Sequence, residues 1–392
     1  MQKTLQNGKR ILKKLHASGY EAFFVGGFVR DSLLNLPTKD IDITTNATPL
    51  EVKDLFNKVI STGEKYGTVT VVIDNTPFEV TTYRSEQAYH DYRRPSGIQF
   101  AKTLKEDVSR RDFTINQLIM DVDGDIIDYF DGLNDLKNGI IKTINDPYER
   151  FKEDALRMMR AFRFVAKLGF KIEENTLKAI TSSRDLLKEI AIERIQDELI
   201  KLFDEPYKQH AISAMQETHV VETLFSVPKA FEVLNQAIDY DHLIALSVLM
   251  IEGEDIETRF KLSKKLISSC KQLARIHLIS KEEGFTNRLL FNEGIEAIKK
   301  ANQLNKLYGI EHDEDALVKA YNDLPIKEVC ELAFKGEHII KTFDLKNRSH
   351  IGFIIDELIL SILNHQVKNT YEALKKEAEI IKNRLEKSDY YE

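Results

Sequence analysis

Two carboxylates one residue apart, Asp40 and Asp42, alternate with Ile41 and Ile43. On a strand, side chains at i and i+2 share a face roughly 7 Å apart. The pattern predicts one face with two acids and one with two core aliphatics. Adjacent negative charges repel, and a divalent cation relieves the repulsion; oxygen-only ligands suit a hard ion such as Mg²⁺. Upstream, Phe23-Phe24-Val25 reads as a short buried strand, Gly26-Gly27 as a tight turn and Val29 to Leu36 as a helix. A glycine turn that opens a helix offers free backbone N–H groups to a phosphate, with Gly27 in the turn and Arg30 adding positive charge beside it. These pieces together could hold a nucleoside triphosphate tail and a metal ion at one sheet edge.

The run Gly26-Gly27-Phe28-Val29-Arg30-Asp31, followed by Lys39-Asp40-Ile41-Asp42-Ile43, resembles the nucleotidyltransferase superfamily, and within it the tRNA nucleotidyltransferases, or CCA-adding enzymes. Further matches follow in order. Arg110-Arg111-Asp112-Phe113-Thr114-Ile115-Asn116 is similar to the family's Arg-Arg-Asp-Phe-Thr-x-Asn motif. Guanidinium forks are bidentate toward phosphate oxygens, and the resemblance gives Arg111 to the triphosphate. Asp128 to Leu136 resembles Asp-x-x-x-Gly-x-x-Asp-Leu, with Lys142 standing where the family usually has Arg. Asp91, Arg93 and Pro95 resemble the family's flexible-loop signature, which implies a part in adding the final A. Glu193-Arg194-Ile195 to Leu199 resembles a motif that implies bracing of the preceding helix. The motifs span residues 21 to about 203.

Glu153-Asp154-Ala155-Leu156-Arg157 matches the family's Glu-Asp-x-x-Arg motif, whose Asp and Arg serve as a protein template for CTP and ATP. The chemistry is specific. Cytosine and adenine each place an exocyclic amine beside a ring-nitrogen acceptor. A carboxylate (Asp154) accepts from the amine and a guanidinium (Arg157) donates to the ring nitrogen. UTP and GTP present a carbonyl and an N–H there, so both contacts become repulsive or unpaired. Arg160 and Arg163, about one turn along each, would face the same nucleotide.

These residues need a scaffold. Leu5 to Ser18 has a helical apolar stripe stopped by Gly19, and Thr48-Pro49-Leu50-Glu51 reads as a capped helix start. Gly67 to Ile73 and Phe78 to Tyr83 read as a hairpin around Asp74 to Pro77 that extends the sheet. Glu79, on the face opposite Phe78, is either an exposed strand acid or the third carboxylate of the metal site. Asp121 to Asp125 reads as a hairpin turn. From Pro147 alternation gives way to helical spacing. Glu149 to Lys167 reads as one helix with Ala155, Met158, Met159, Phe162 and Val165 on its apolar side. Beyond that, helices are expected at 241–251, 260–278, 293–307, 326–334 and 352–385.

The expected fold is an α/β head with a small mixed sheet, followed by all-α neck, body and tail, divided at 1–141, 142–206, 207–295 and 296–392. The 392 residues carry a net charge of −7, which argues against a protein that coats nucleic acid and leaves RNA contacts to local basic patches. Cys270 and Cys330 supply neither a zinc framework nor a disulfide scaffold, and each reads as a buried helix residue of a reducing compartment. The N-terminal stretch lacks an apolar run suited to a signal peptide, and no stretch is apolar enough to span a membrane. A cytoplasmic location follows as an expectation. No Gly-Lys-Ser/Thr follows a glycine turn, which excludes a P-loop.

The resemblance implies addition of CCA to tRNA from CTP and ATP with Mg²⁺ as cofactor. A poly(A) polymerase, an enzyme adding only CC or only A, and a non-catalytic RNA-binding relative are the alternatives. Whether two copies form a homodimer is left open by the sequence.

Overall fold

In a computed structural model of the chain, residues 2–38, 40–86, 98–224, 229–232, 239–250, 261–310, 312–343 and 350–388 are described. The expected flexible-loop residues Asp91, Arg93 and Pro95 lie outside them. The chain divides into two units, Met1–Glu232 and Val233–Glu392.

The first unit opens with α1 (Gln2–Ala17), which buries Ile11, Leu12 and Leu15 completely and ends before Gly19 at φ +87°. Next come β1 (Ala22–Val25), α2 (Gly27–Leu33), β2 (Asp42–Thr45), α3 (Pro49–Leu55), β3 (Val59–Gly63), β4 (Thr68–Ile73) and β5 (Thr76–Thr82). Short strands β6 (Arg84–Glu86) and β7 (Ile98–Phe100) pair with each other. Then follow α4 (Leu104–Ser109), β8 (Ile119–Met120) and β9 (Ile126–Ile127). The main sheet has seven strands in the order β3-β4-β5-β2-β1-β8-β9. β2 runs parallel to β5 and antiparallel to β1, so the sheet is mixed, as expected.

Local chemistry accounts for its turns. Thr48 and Glu51 form a capping box at the start of α3. Asp74 and Asn75 both take positive φ, the geometry of a two-residue hairpin turn, so Thr76 and Pro77 belong to β5 and not to the turn. The Asp121 carboxylate accepts the N–H groups of Asp123, Gly124 and Asp125, which closes the β8–β9 hairpin.

Three expectations about the site's scaffold are corrected. The strand expected over 39–43 begins only at Asp42, because its partner β1 ends at Val25, opposite Asp42, and the chain turns away at Gly26. Asp40 therefore lies ahead of the strand and is exposed. The helix expected at Val29 starts at Gly27 and is over by Leu33, with Asn35 at positive φ beyond it. The single helix expected over 149–167 is two: α6 (Pro147–Glu153) and α7 (Leu156–Leu168), after α5 (Gly132–Asn138) and β10 (Ile140–Ile141). Asp154 breaks it at φ −146°, ψ 100°, and its carboxylate accepts the Leu156 N–H at 3.2 Å. Short acidic side chains compete for backbone N–H groups in this way and so favour helix starts over interiors. The expected apolar stripe of Ala155, Met158, Met159, Phe162 and Val165 is buried.

Behind α7 the chain continues through β11 (Lys171–Ile172), α8 (Glu174–Ser183), α9 (Ile192–Phe203), α10 (Lys208–Glu217), α11 (Val220–Leu224) and α12 (Lys229–Glu232); α9 and α10 pack on α7.

The second unit is helical among its described residues: α13 (Tyr240–Met250), α14 (Lys264–Glu283), α15 (Asn287–Leu307), α16 (Glu314–Asn322), α17 (Gly336–Thr342), α18 (His350–Leu363) and α19 (Tyr371–Ser388). The helix expected over 352–385 is interrupted between α18 and α19, where His365 takes φ +56°. That expected over 326–334 reduces to one tight turn, Val329–Glu331, which leaves Cys330 exposed; Cys270 is buried on α14 as expected. Among the described residues no helix is long and apolar enough to cross a membrane.

Candidate active site

A cavity of about 880 Å³ opens in the first unit between the Gly26 turn, the residues after α4 and the α6–α7 and α9 helices. Asp40, Asp42, Gly27, Arg30 and Arg111 line it, as do Asp154, Arg157, Arg160 and Arg163. The sequence-predicted residues thus converge on one space except Glu79, which pairs with Asp42 in the sheet but is not among the lining residues.

The acidic end is built by strand register. Asp42 on β2 is the direct parallel partner of Glu79 on β5. Burial, together with the charges of Glu79 and Asp40, pushes the Asp42 carboxyl above the ordinary carboxylate range; Arg111 acts in the opposite sense. A Cβ on Gly26 would lie 3.3 Å from Arg111 Nη1 and 3.5 Å from Asp42 Oδ2. Gly26 sits at φ +72°, ψ −141°, so glycine both permits the turn and lets the backbone pass close to these two side chains.

These residues fit a hard divalent cation. The donors are carboxylate oxygens, and mutual repulsion is already written into the Asp42 shift. Among the described residues no group of three or more acidic, imidazole or thiolate side chains encloses a metal. The protein would supply part of a shell that phosphate and water complete, the usual arrangement for Mg²⁺ beside nucleotides.

Arg111 follows α4. Its Nη2 lies 3.5 Å from Asp107, while its buried Nε lacks a protein partner. Arg110, its neighbour in the motif, is turned to Asp107 at 2.9 Å and to the Arg84 carbonyl. Asp112 accepts from Arg160 at 2.7 and 2.8 Å, from Asn116 Nδ2 and from the Phe113 N–H. Burial would raise its pKa, but these partners outweigh it and hold the carboxyl well below the ordinary value.

Arg30 is only 3% exposed and bound to Asp31 and Asn116, so its charge is largely spent inside the protein. Asp31 also takes Lys167 at 2.8 Å. The ring of Phe164 gathers the guanidinium groups of Arg30, Arg160 and Arg163 at 5.0, 5.6 and 5.3 Å from its centroid. Three cations converging on one ring create a positive wall, which Glu198 relieves at 3.0 Å from Arg163 and 3.7 Å from Arg160.

The base-reading pair is arranged differently from a pair on one helix face. Arg157 is 5% exposed and donates to Glu153, to the Arg150 carbonyl and to the Arg110 carbonyl. The ion pair found at Asp154 is with Arg194, at 3.7 Å. Burial raises the Asp154 carboxyl's pKa, and Arg194 is the strongest of the charges opposing that rise.

Sequence reasoning did not single out Phe164, Lys167 or Glu205; Asp31 and Glu198 stood inside quoted motifs, Asp31 without a role and Glu198 as part of a brace. Arg194 stood inside a quoted motif but was read as a brace. Glu205 also lines the cavity, and its carboxyl is pushed up by burial against the pull of Lys167 and Arg163. The Asp128 to Leu136 motif is structural. Asp128 accepts the N–H groups of Phe130, Gly132 and Leu133, and Thr114 donates to Asp135 at 2.6 Å. A Cβ on Gly132 would fall 2.3 Å from the Thr114 carbonyl oxygen, so only glycine lets α5 brace the loop behind Asp112.

Comparison with known proteins gives three family matches: "Poly A polymerase head domain" over 22–142, "Probable RNA and SrmB- binding site of polymerase A" over 169–232, and "tRNA nucleotidyltransferase domain 2 putative" over 243–378. The chain is 39% identical over 388 residues to a CCA-adding enzyme of Limosilactobacillus reuteri, covering 95% of each. It is 36% identical over 402 residues to that of Pediococcus pentosaceus, covering 99% of this chain. Among solved structures, the Bacillus stearothermophilus CCA-adding enzyme in complex with CTP superposes with a TM-score of 0.83 at 30% identity, covering 98% of both chains. The Thermotoga maritima CCA-adding enzyme complexed with tRNA shares the fold at a TM-score of 0.69.

Proposed function

The chain belongs to the CCA-adding tRNA nucleotidyltransferases, and we propose that the cavity between its sheet and α6, α7 and α9 is where it binds and selects nucleotides. It adds CCA to the 3′ end of tRNA from CTP and ATP. In each addition the terminal tRNA hydroxyl gives up its proton to solvent as its oxygen bonds to the α-phosphorus, the bond to the bridging oxygen breaks, and pyrophosphate leaves with the electron pair.

The observation that carries the site assignment is the convergence of Asp42, Arg111 and Asp154 on one cavity with the glycine cradle between them. The family uses divalent metal ions; we assign Asp40 and Asp42 as the carboxylates that would hold Mg²⁺ here, with Glu79 behind them. When bound, the ion supplies Lewis-acid stabilisation of attacking and leaving oxygens. Gly26 and Gly27 leave room for phosphate oxygens against the backbone, and the Arg111 guanidinium lines the same space. Arg160 and Arg163, neutralised only in part by Asp112 and Glu198, keep a positive wall toward the nucleotide. Asp154 accepts the exocyclic amine of cytosine or adenine, and the guanidinium groups beside it answer the ring nitrogen.

The finer domain division is proposed on the same basis. The catalytic head ends near 141, the neck 142–206 selects the base, and the helices beyond it, divided near 295, dock the tRNA by shape and backbone contacts. No membrane-spanning helix occurs among the described residues, and a cytoplasmic site of action fits tRNA as substrate.

One assay tests the whole reading. The protein is incubated with Mg²⁺ and a tRNA lacking CCA, with CTP, ATP or both. Extension by three nucleotides that then stops is expected. A long A tract would mark a poly(A) polymerase, arrest after CC a partial enzyme, and binding without extension a non-catalytic relative.

A further inference from the structure

Arg194 stands on the first turn of α9, across the cavity wall from the break between α6 and α7. Its guanidinium faces Asp154 Oδ2 at 3.7 Å, while Asp154 Oδ1 takes the Leu156 N–H. Its Nη1 is buried without a partner. The other cations near Asp154 are committed elsewhere, Arg157 to Glu153 and two backbone carbonyls and Arg160 to Asp112. Arg194 is therefore the cation free to serve Asp154.

We propose that Arg194 is a positioning residue for nucleotide selection: it holds the Asp154 side chain as a charged, acceptor-only group facing the base edge. This rests on the reading of Asp154 as the acceptor for the exocyclic amine. The chemistry shows why charge matters there. An ionised carboxylate accepts hydrogen bonds only and rejects the carbonyls of uracil and guanine. A protonated one carries an O–H donor that those carbonyls welcome. Burial favours the protonated form, and Arg194, Arg157, Arg160 and the Leu156 N–H oppose it, Arg194 most strongly. Loss of Arg194 thus weakens discrimination most where protons are abundant.

The test compares the full-length enzyme with Arg194→Met, Arg194→Lys and Asp154→Ala on tRNA lacking CCA, giving each nucleotide singly at about pH 6 and about pH 8. Arg194→Met is expected to raise the use of UTP and GTP relative to CTP by roughly tenfold at the lower pH and by much less at the higher, mainly through KM. Arg194→Lys, which keeps the charge, restores most of the discrimination. Asp154→Ala loses it at both pH values alike. Arg194→Gln, which keeps donors and drops the charge, replaces Arg194→Met if that variant does not fold. Wild-type discrimination in the charge-removing variant, or a loss independent of pH and not rescued by lysine, overturns the proposal. Wild-type discrimination in Asp154→Ala overturns instead the underlying reading of Asp154.

Discussion

Asp42 and Glu79 are direct partners across the parallel β2–β5 ladder, and the second acid adds to burial in raising the pKa of the first. The metal-free protein therefore stores repulsion at its acidic end. Asp42→Asn should lower kcat by about three orders of magnitude, the scale of several kcal/mol of lost transition-state stabilisation, with no loss of Tm. Glu79→Gln relieves the repulsion, so the metal-free Tm should hold or rise while the Mg²⁺ concentration for half-maximal rate increases. A Tm lowered by several degrees with unchanged Mg²⁺ dependence would show that Glu79 is only a strand residue.

Gly26→Ala meets two obstacles, a backbone at φ +72° and a methyl 3.3 Å from Arg111 Nη1. The expected destabilisation is about 1–2 kcal/mol in urea unfolding. Because the turn touches the phosphate end and not the base, KM should rise equally for CTP and ATP. A change in the ratio of CTP to ATP use would contradict that placement.

Asp112 is held below the ordinary carboxylate pKa of 3.8, chiefly through Arg160 once burial is overcome. A depressed folded-state pKa contributes stability that is present above the ordinary value and is lost as pH falls through it toward the folded value. Asp112→Asn should cost about 2 kcal/mol at neutral pH, less than a broken buried pair usually does because Glu198 stays 3.7 Å from Arg160. The gap between variant and wild type should narrow below about pH 4, which urea titrations across pH would detect.

The two thiols should react very differently. Burial, with Asp241 and Asp239 nearby, pushes Cys270 up to about 12, whereas Cys330 is exposed. A thiol reagent at mildly alkaline pH should label one cysteine per native chain, at Cys330, and the second only after denaturation. Fast labelling of Cys270 in the native protein would mean that α14 does not pack as described.

The parts of the site legible in the sequence were those fixed by local chemistry. The glycine turn, the alternating acids and the Thr48 cap each report a backbone geometry within a few residues, and the convergence of Asp42, Arg111 and Asp154 followed from motif resemblance. Boundaries set by distant partners were not legible. Asp40 fell off the strand because β1 ends opposite Asp42, and no residue near Asp40 encodes where β1 stops. The partner exchange at Asp154 was hidden for a similar reason. Helical periodicity places Asp154 and Arg157 on one face, but the Asp side chain captures the Leu156 N–H and ends that periodicity at the residue that matters. Arg194 then becomes its neighbour through the packing of α9 on α7, a contact no short-range pattern contains.

Arg150 and Arg157 reach back from the helices to the carbonyl oxygen of Arg110, and Arg150 also to that of Arg111, whose side chain lines the cavity with Asp42. The group that would recognise the base and the group that would grip the phosphates are thus strapped to the same stretch of main chain. Lesions on either side of that strap should not combine as independent losses: a double-mutant cycle between Arg157 and Arg111 would reveal energetic coupling, and a nucleotide with the wrong base would be felt at its own tail.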